Sequence, residues 1–107
     1  YLHIGSSILE SAAPYRNARS VRGSGQKGVQ IDLLLQTACT AYVVEIKRMK
    51  HIGSEIEAEV RDKVKRLPLR EGMSVRPVLV YEGELAPVVS GRGYFDSIIP
   101  AWKLLGN

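Results

Sequence analysis

A single cysteine, Cys39, leaves this chain of 107 residues no internal disulfide and no cysteine-rich zinc site. The only two histidines, His3 and His51, lack any metal-ligand spacing and are expected to be exposed. No apolar run approaches the roughly 20 residues that cross a bilayer, and no signal-peptide pattern is present. Gly23, Gly25 and Gly28 are not followed by Gly-Lys-Ser/Thr, so these residues build no phosphate loop and no ATPase site. Aromatic residues are scarce, at 7%, and Phe95 and Trp102 read as core or docking residues rather than base-stacking platforms. No internal repeat or low-complexity tract appears. A reducing, cytoplasmic setting without membrane contact is the expectation.

What remains is ordinary globular material, 45% hydrophobic and 24% charged, sized for one domain over 1–107. Tyr1 is no initiator methionine, which suggests a fragment of a longer chain. Net charge is +4 and the pI about 9.4, which permits contact with a polyanion. Arg16, Arg19, Arg22 and Lys27 fall in one stretch free of acids and are the candidates for neutralising phosphates. A solvated basic loop, or an interdomain linker contact, accounts for the same residues.

Residues 1 to 13 are weakly patterned, and Pro14 stops any helix there. Tyr15 to Val21 reads as an edge strand, followed by a turn at Gly23-Ser24-Gly25. Gln30 to Gln36 and Ala41 to Met49 are the clearest strands, separated by a segment short enough for a hairpin. Ser54 with Glu57 makes a capping box, and Ile56, Val60, Val64 and Leu67 recur as the stripe of an amphipathic helix. Acids crowd its start and bases its end, and Pro68 and Gly72 close it. Val75 to Tyr81 is a further strand, and a terminal helix from Tyr94 to Leu105 would be interrupted at Pro100. The predicted order is strand, strand, strand, helix, strand. Strands that flank a helix usually pair in parallel, so a mixed α/β sheet with flanking helices is expected.

Chemistry concentrates on the hairpin. A two-residue turn at Ala38-Cys39 sets Asp32 opposite Glu45 and Gln30 opposite Lys47, with Glu45 and Lys47 on one face. Facing carboxylates repel, at about 0.2–1 kcal/mol when exposed and more when buried, and folding alone gives no reason to place them in an apolar hairpin. A hard divalent cation removes that objection, because Mg²⁺ takes one or two carboxylates plus waters and phosphate. Lys47 would then stand where an ammonium can orient a water or offset charge on phosphate. The plainer alternative pairs Asp32 with Lys47 and Glu45 with a helix cation. Glu59 and Lys63, one turn apart, are either a surface ion pair or supports that reach this polar patch.

Gln30-Ile31-Asp32, then Glu45-Ile46-Lys47, then a helix bearing Glu59 and Lys63 resembles the PD-(D/E)xK nuclease superfamily, the restriction-endonuclease-like fold. That family's core is helix, three strands, helix, strand, with a catalytic Asp on the second strand and a (D/E)xK tripeptide on the third. The resemblance implies Asp32 and Glu45 as metal ligands for Mg²⁺ or Mn²⁺, Lys47 as the catalytic lysine, and Gln30, Glu59 and Lys63 as supports. More narrowly, Gly28 to Lys47, the Glu55-to-Arg66 helix and Arg76-Pro77-Val78-Leu79 resemble the C-terminal domain of a group of prokaryotic AAA-type ATPases. The implied activity is metal-dependent hydrolysis of nucleic acid, DNA in preference to RNA, with an ATPase domain in the same chain. Such sites often act in pairs, which makes a homodimer part of the expectation. Ile31 replaces the proline of the family's name, Glu10 is the only acid before Asp32, and the family's first helix is expected mostly before residue 1. A non-catalytic module that binds nucleic acid or docks on an ATPase is the rival reading.

Overall fold

The computed structural model describes residues 11–17 and 29–105. The chain is α/β: a five-stranded mixed sheet in the order β1-β2-β3-β4-β5, with three short helices. The strands are β1 (Ser11–Asn17), β2 (Val29–Gln36), β3 (Thr40–Ile52), β4 (Ser74–Leu85) and β5 (Ser97–Pro100). Helix α1 (Glu55–Arg66) links β3 to β4, α2 (Pro87–Gly91) lies between β4 and β5, and α3 (Ala101–Leu105) follows β5. β1, β2 and β3 are antiparallel neighbours, whereas β3 with β4 and β4 with β5 are parallel. Among the described residues, no helix is long and apolar enough to cross a membrane.

The β2–β3 hairpin has the register expected of an Ala38-Cys39 turn: Gln36 pairs with Ala41 and Leu33 with Val44. Among the described residues no non-glycine residue has positive φ, and the turn is closed by backbone and side-chain hydrogen bonds. The Thr37 amide donates to Thr40 O at 2.9 Å, and the Thr40 amide donates to Thr37 Oγ1 at 3.1 Å. Both faces of the sheet are buried. Alternation along β3 and β4 sends Leu79 against Ile56 and Val60 of α1 and Val43, on the same face, into a cluster with Ile31, Leu34 and Leu67. It sends Val44, Val78 and Val80 into a cluster with Leu35, Tyr42 and Ile99.

Several expected elements shift. Ser11 to Ala13 belong to β1, and Pro14 lies within that strand rather than ending a helix. The β1–β2 register jumps there, from Ala13 opposite Leu34 to Tyr15 opposite Ile31. β2 therefore carries an extra residue opposite a proline that has no amide to donate, the usual setting for proline in a sheet. Ser54 precedes α1 but makes no side-chain cap hydrogen bond, so the capping box does not form. Glu57 turns instead to Arg92 Nε at 2.9 Å and Arg61 Nε at 3.3 Å. The helix stops at Leu67, whose extended backbone is what a following proline demands. The expected terminal helix is a strand, β5, up to Pro100, and helical only beyond it.

A second irregularity falls between β3 and β4. Arg48 faces Glu82 and His51 faces Glu84, so Met49 and Lys50 together oppose Gly83. Gly83 has φ +128°, and a Cβ there would lie 1.6 Å from the Met49 carbonyl oxygen. Gly83→Ala combines backbone strain with overpacking and is expected to destabilise by about 2–4 kcal/mol. Urea unfolding of this variant checks the figure; a midpoint equal to wild type would refute the steric account.

Candidate active site

The extra residue in β2 lies next to Asp32, and bulges commonly re-aim a side chain. Asp32 Oδ2 accepts a hydrogen bond from the Ile46 amide at 2.8 Å. That carboxylate stands where the next ladder bond between β2 and β3 would be, because the described pairing ends at Leu33 and Val44. Among the described residues, β3 continues beyond this point paired with β4 alone, as far as Ile52 opposite Leu85. Among the described residues, Asp32 Oδ1 has no hydrogen-bond donor.

Glu45 is the most deeply buried acid described, 1% exposed. It follows Val44 on the strand and so faces α1, where Lys63 Nζ donates to both its oxygens at 3.1 Å. Burial raises the Glu45 pKa above its ordinary 4.5; the Lys63 hydrogen bond and charge oppose the rise, and the nearby Asp32 carboxylate adds to it. Lys47, two residues along, shares that face and bonds Glu59 Oε1 at 2.8 Å. Lys63 also approaches Glu59, at 3.9 Å. Glu45, Lys63, Glu59 and Lys47 thus form an alternating chain of charge that ties β3 to α1.

The structure therefore brings Asp32, Glu45, Lys47, Glu59 and Lys63 together. Glu59 and Lys63 reach the sheet, and each holds a strand residue more closely than it holds the other. Gln30 stands apart: it pairs with Arg16 of β1, is exposed, and does not face Lys47, because β2 leaves β3 before reaching it. Arg16 lies on β1, with only its backbone described, and Arg19, Arg22 and Lys27 lie outside the described residues. Cys39 is an exposed turn residue, and His51 is exposed with Nδ1 3.0 Å from Glu84. Phe95 is buried as expected, but Trp102 is 68% exposed and belongs to no core. Arg92, which anchors Glu57, was not singled out from the sequence; nothing local to it marks a partner thirty-five positions away.

Two carboxylates with hard oxygen donors are a suitable partial set for Mg²⁺ or Mn²⁺, which complete their shells with water and phosphate. Asp32 offers an oxygen with no donor among the described residues, and Glu45 presents both of its own to a cation already, that cation being Lys63. Among the described residues, no group of three or more His, Cys, Asp or Glu side chains could hold a metal. The pair fits a divalent ion that shares Glu45 with Lys63 and takes most of its ligands from solvent and substrate.

Comparison with known proteins brings no further guide: no family model, curated protein or solved structure matches the chain.

Proposed function

We propose that this chain hydrolyses nucleic-acid phosphodiesters, with DNA as the substrate and a restriction-endonuclease-like sheet as the scaffold. The observation that carries the reading is the convergence of the Asp32 and Glu45 carboxylates beside Lys47, where β2 parts from β3. A divalent cation bound between these acids would polarise a phosphoryl oxygen and lower the pKa of a bound water. Asp32 and Glu45 would hold it. Lys47 would orient the attacking water or offset charge gathering on the phosphate, its ammonium kept in place by Glu59. Lys63 donates to both oxygens of the buried Glu45 and favours its ionised form against the burial that opposes it. Membership of the PD-(D/E)xK superfamily, attachment to an AAA-type ATPase domain, action as a homodimer and a cytoplasmic location rest on the sequence reading alone.

The test is an assay with DNA and RNA, single- and double-stranded, in Mg²⁺, in Mn²⁺ and in EDTA. Cleavage in either metal and none in EDTA is the expected result; no cleavage under any condition would overturn it. One observation favours a second reading, a non-catalytic nucleic-acid-binding or ATPase-docking module: Lys63 already satisfies both oxygens of Glu45 without a metal.

A further inference from the structure

β5 ends at Pro100, opposite Tyr81, so among the described residues no strand lies beside the β5 edge of β4 beyond Tyr81. In that gap lies a hollow of about 320 Å³ lined by Tyr81, Glu82, Gly83, Pro100, Ala101 and Trp102. Trp102 is 68% exposed, and its ring stands at the hollow with Lys103 Nζ 5.7 Å from the centroid. A second hollow, of about 270 Å³, shares Glu82 and Gly83 and adds Arg48, Met49 and Lys50. The Gly83 irregularity joins the two, because only a missing Cβ lets the strands approach so closely there.

The charges along this double hollow are graded. Arg48 and Lys50 lie at one end and Lys103 at the other; among the described residues the only acid lining either hollow, Glu82, is 3.5 Å from Arg48 Nε. An exposed indole flanked by cations suits a ligand with an aromatic face and an anionic backbone, since base stacking and phosphate attraction are the two components of single-strand recognition. A base inside a duplex is already stacked on both sides and cannot use the ring. Tyr81, which lines the hollow, pairs with Lys47, so the hollow starts one strand spacing, roughly 5 Å, from the proposed catalytic lysine, while Arg48, the next residue along, points to the opposite face of the sheet from Lys47.

We infer that the double hollow is a subsite for single-stranded DNA, in which an unpaired base stacks on Trp102 and its phosphates lie along Arg48 and Lys50. The inference deepens the nuclease reading by naming the strand state of the substrate, and it rests on that reading only for its role in cleavage.

Trp102 is the only tryptophan, so its emission reports the event directly. The test titrates the chain in EDTA with a mixed-sequence single-stranded DNA oligonucleotide and with the matched duplex. Quenched emission and tighter binding of the single strand are expected. Followed by anisotropy of a labelled oligonucleotide, Trp102→Leu should weaken binding about tenfold to a hundredfold. Lys50→Ala should weaken it less and flatten its salt dependence. Both positions are exposed, so unchanged circular dichroism is expected of each variant. Unaltered emission at saturation, equal binding of duplex, or wild-type affinity in Trp102→Leu would each overturn the subsite. Asp32→Asn, unable to cleave on the reading above, should bind the single strand as wild type does. Binding without any metal-dependent cleavage would thus refute the nuclease and keep the subsite, and cleavage without Trp102-dependent binding would do the reverse.

Discussion

Lys47→Ala and Asp32→Asn each lower Mg²⁺-dependent cleavage at least about a hundredfold while unfolding near the wild-type temperature. The activity loss follows from what each group supplies: a ligand charge in one case, and an ammonium near the reacting phosphate in the other, interactions commonly worth a hundredfold or more. The stability side follows from exposure. Lys47 loses its contact with the half-exposed Glu59, a pair worth about 0.2–1 kcal/mol, and its charge is the least of the influences on Glu45. Asn at position 32 retains an oxygen for the Ile46 amide and relieves the repulsion between Asp32 and Glu45. Loss of activity together with loss of the folded circular-dichroism signal would make these residues structural. Equal cleavage by wild type and Lys47→Ala would remove the lysine from the mechanism.

Lys63→Met has its largest effect on stability instead. It keeps the aliphatic stem and deletes the one cation bonded to Glu45. Breaking a buried pair by removing a single partner costs about 3–5 kcal/mol, because the remaining charge stays desolvated. The pH dependence has a definite sign. Burial already raises the Glu45 pKa above 4.5, and without Lys63 its hydrogen bond and charge no longer oppose this rise, leaving only the lesser influence of the Lys47 charge against it. A carboxyl whose folded pKa lies above its unfolded value binds its proton more tightly when folded, so stability falls as pH rises from 4.5 through the folded pKa. The penalty of Lys63→Met is therefore greatest above the folded pKa of Glu45 and shrinks toward pH 4.5. Adding Glu45→Gln should recover much of the loss at high pH. Denaturant unfolding across this range measures it, and a penalty independent of pH would show that Glu45 is not the group left unpaired.

The hairpin register was legible because a two-residue turn leaves few ways to align two apolar strands, and the observed pairing of Leu33 with Val44 follows it. The register stopped serving one residue later. The extra residue that parts β2 from β3 at Asp32 lies opposite Pro14, and no local pattern in β2 announces a proline on a neighbouring strand. Gln30 was misplaced for that reason. The capping box failed for a similar one: Ser54 and Glu57 have the right spacing, but Arg92 and Arg61 bind the glutamate more strongly than a backbone amide would. Trp102, read as a core or docking residue, is 68% exposed and so joins no core, and the strand Ser97 to Pro100 before it is too short a run to tell from helix by periodicity. Glu59 and Lys63 were legible as a pair, but not as partners of Lys47 and Glu45, since helix-to-sheet docking is not encoded in spacing.

Grip on a single divalent ion by acids from adjacent strands is the claim most open to direct measurement. Thermal unfolding with increasing Mn²⁺ or Mg²⁺, for wild type and Asp32→Asn side by side, reads it without any substrate. An ion that binds only the folded chain stabilises it by about 2.7 kcal/mol at a hundred times its Kd, so the wild-type transition should climb with metal and return in EDTA, while that of Asp32→Asn stays almost level. Coincident curves for the two proteins at every metal concentration would contradict the account.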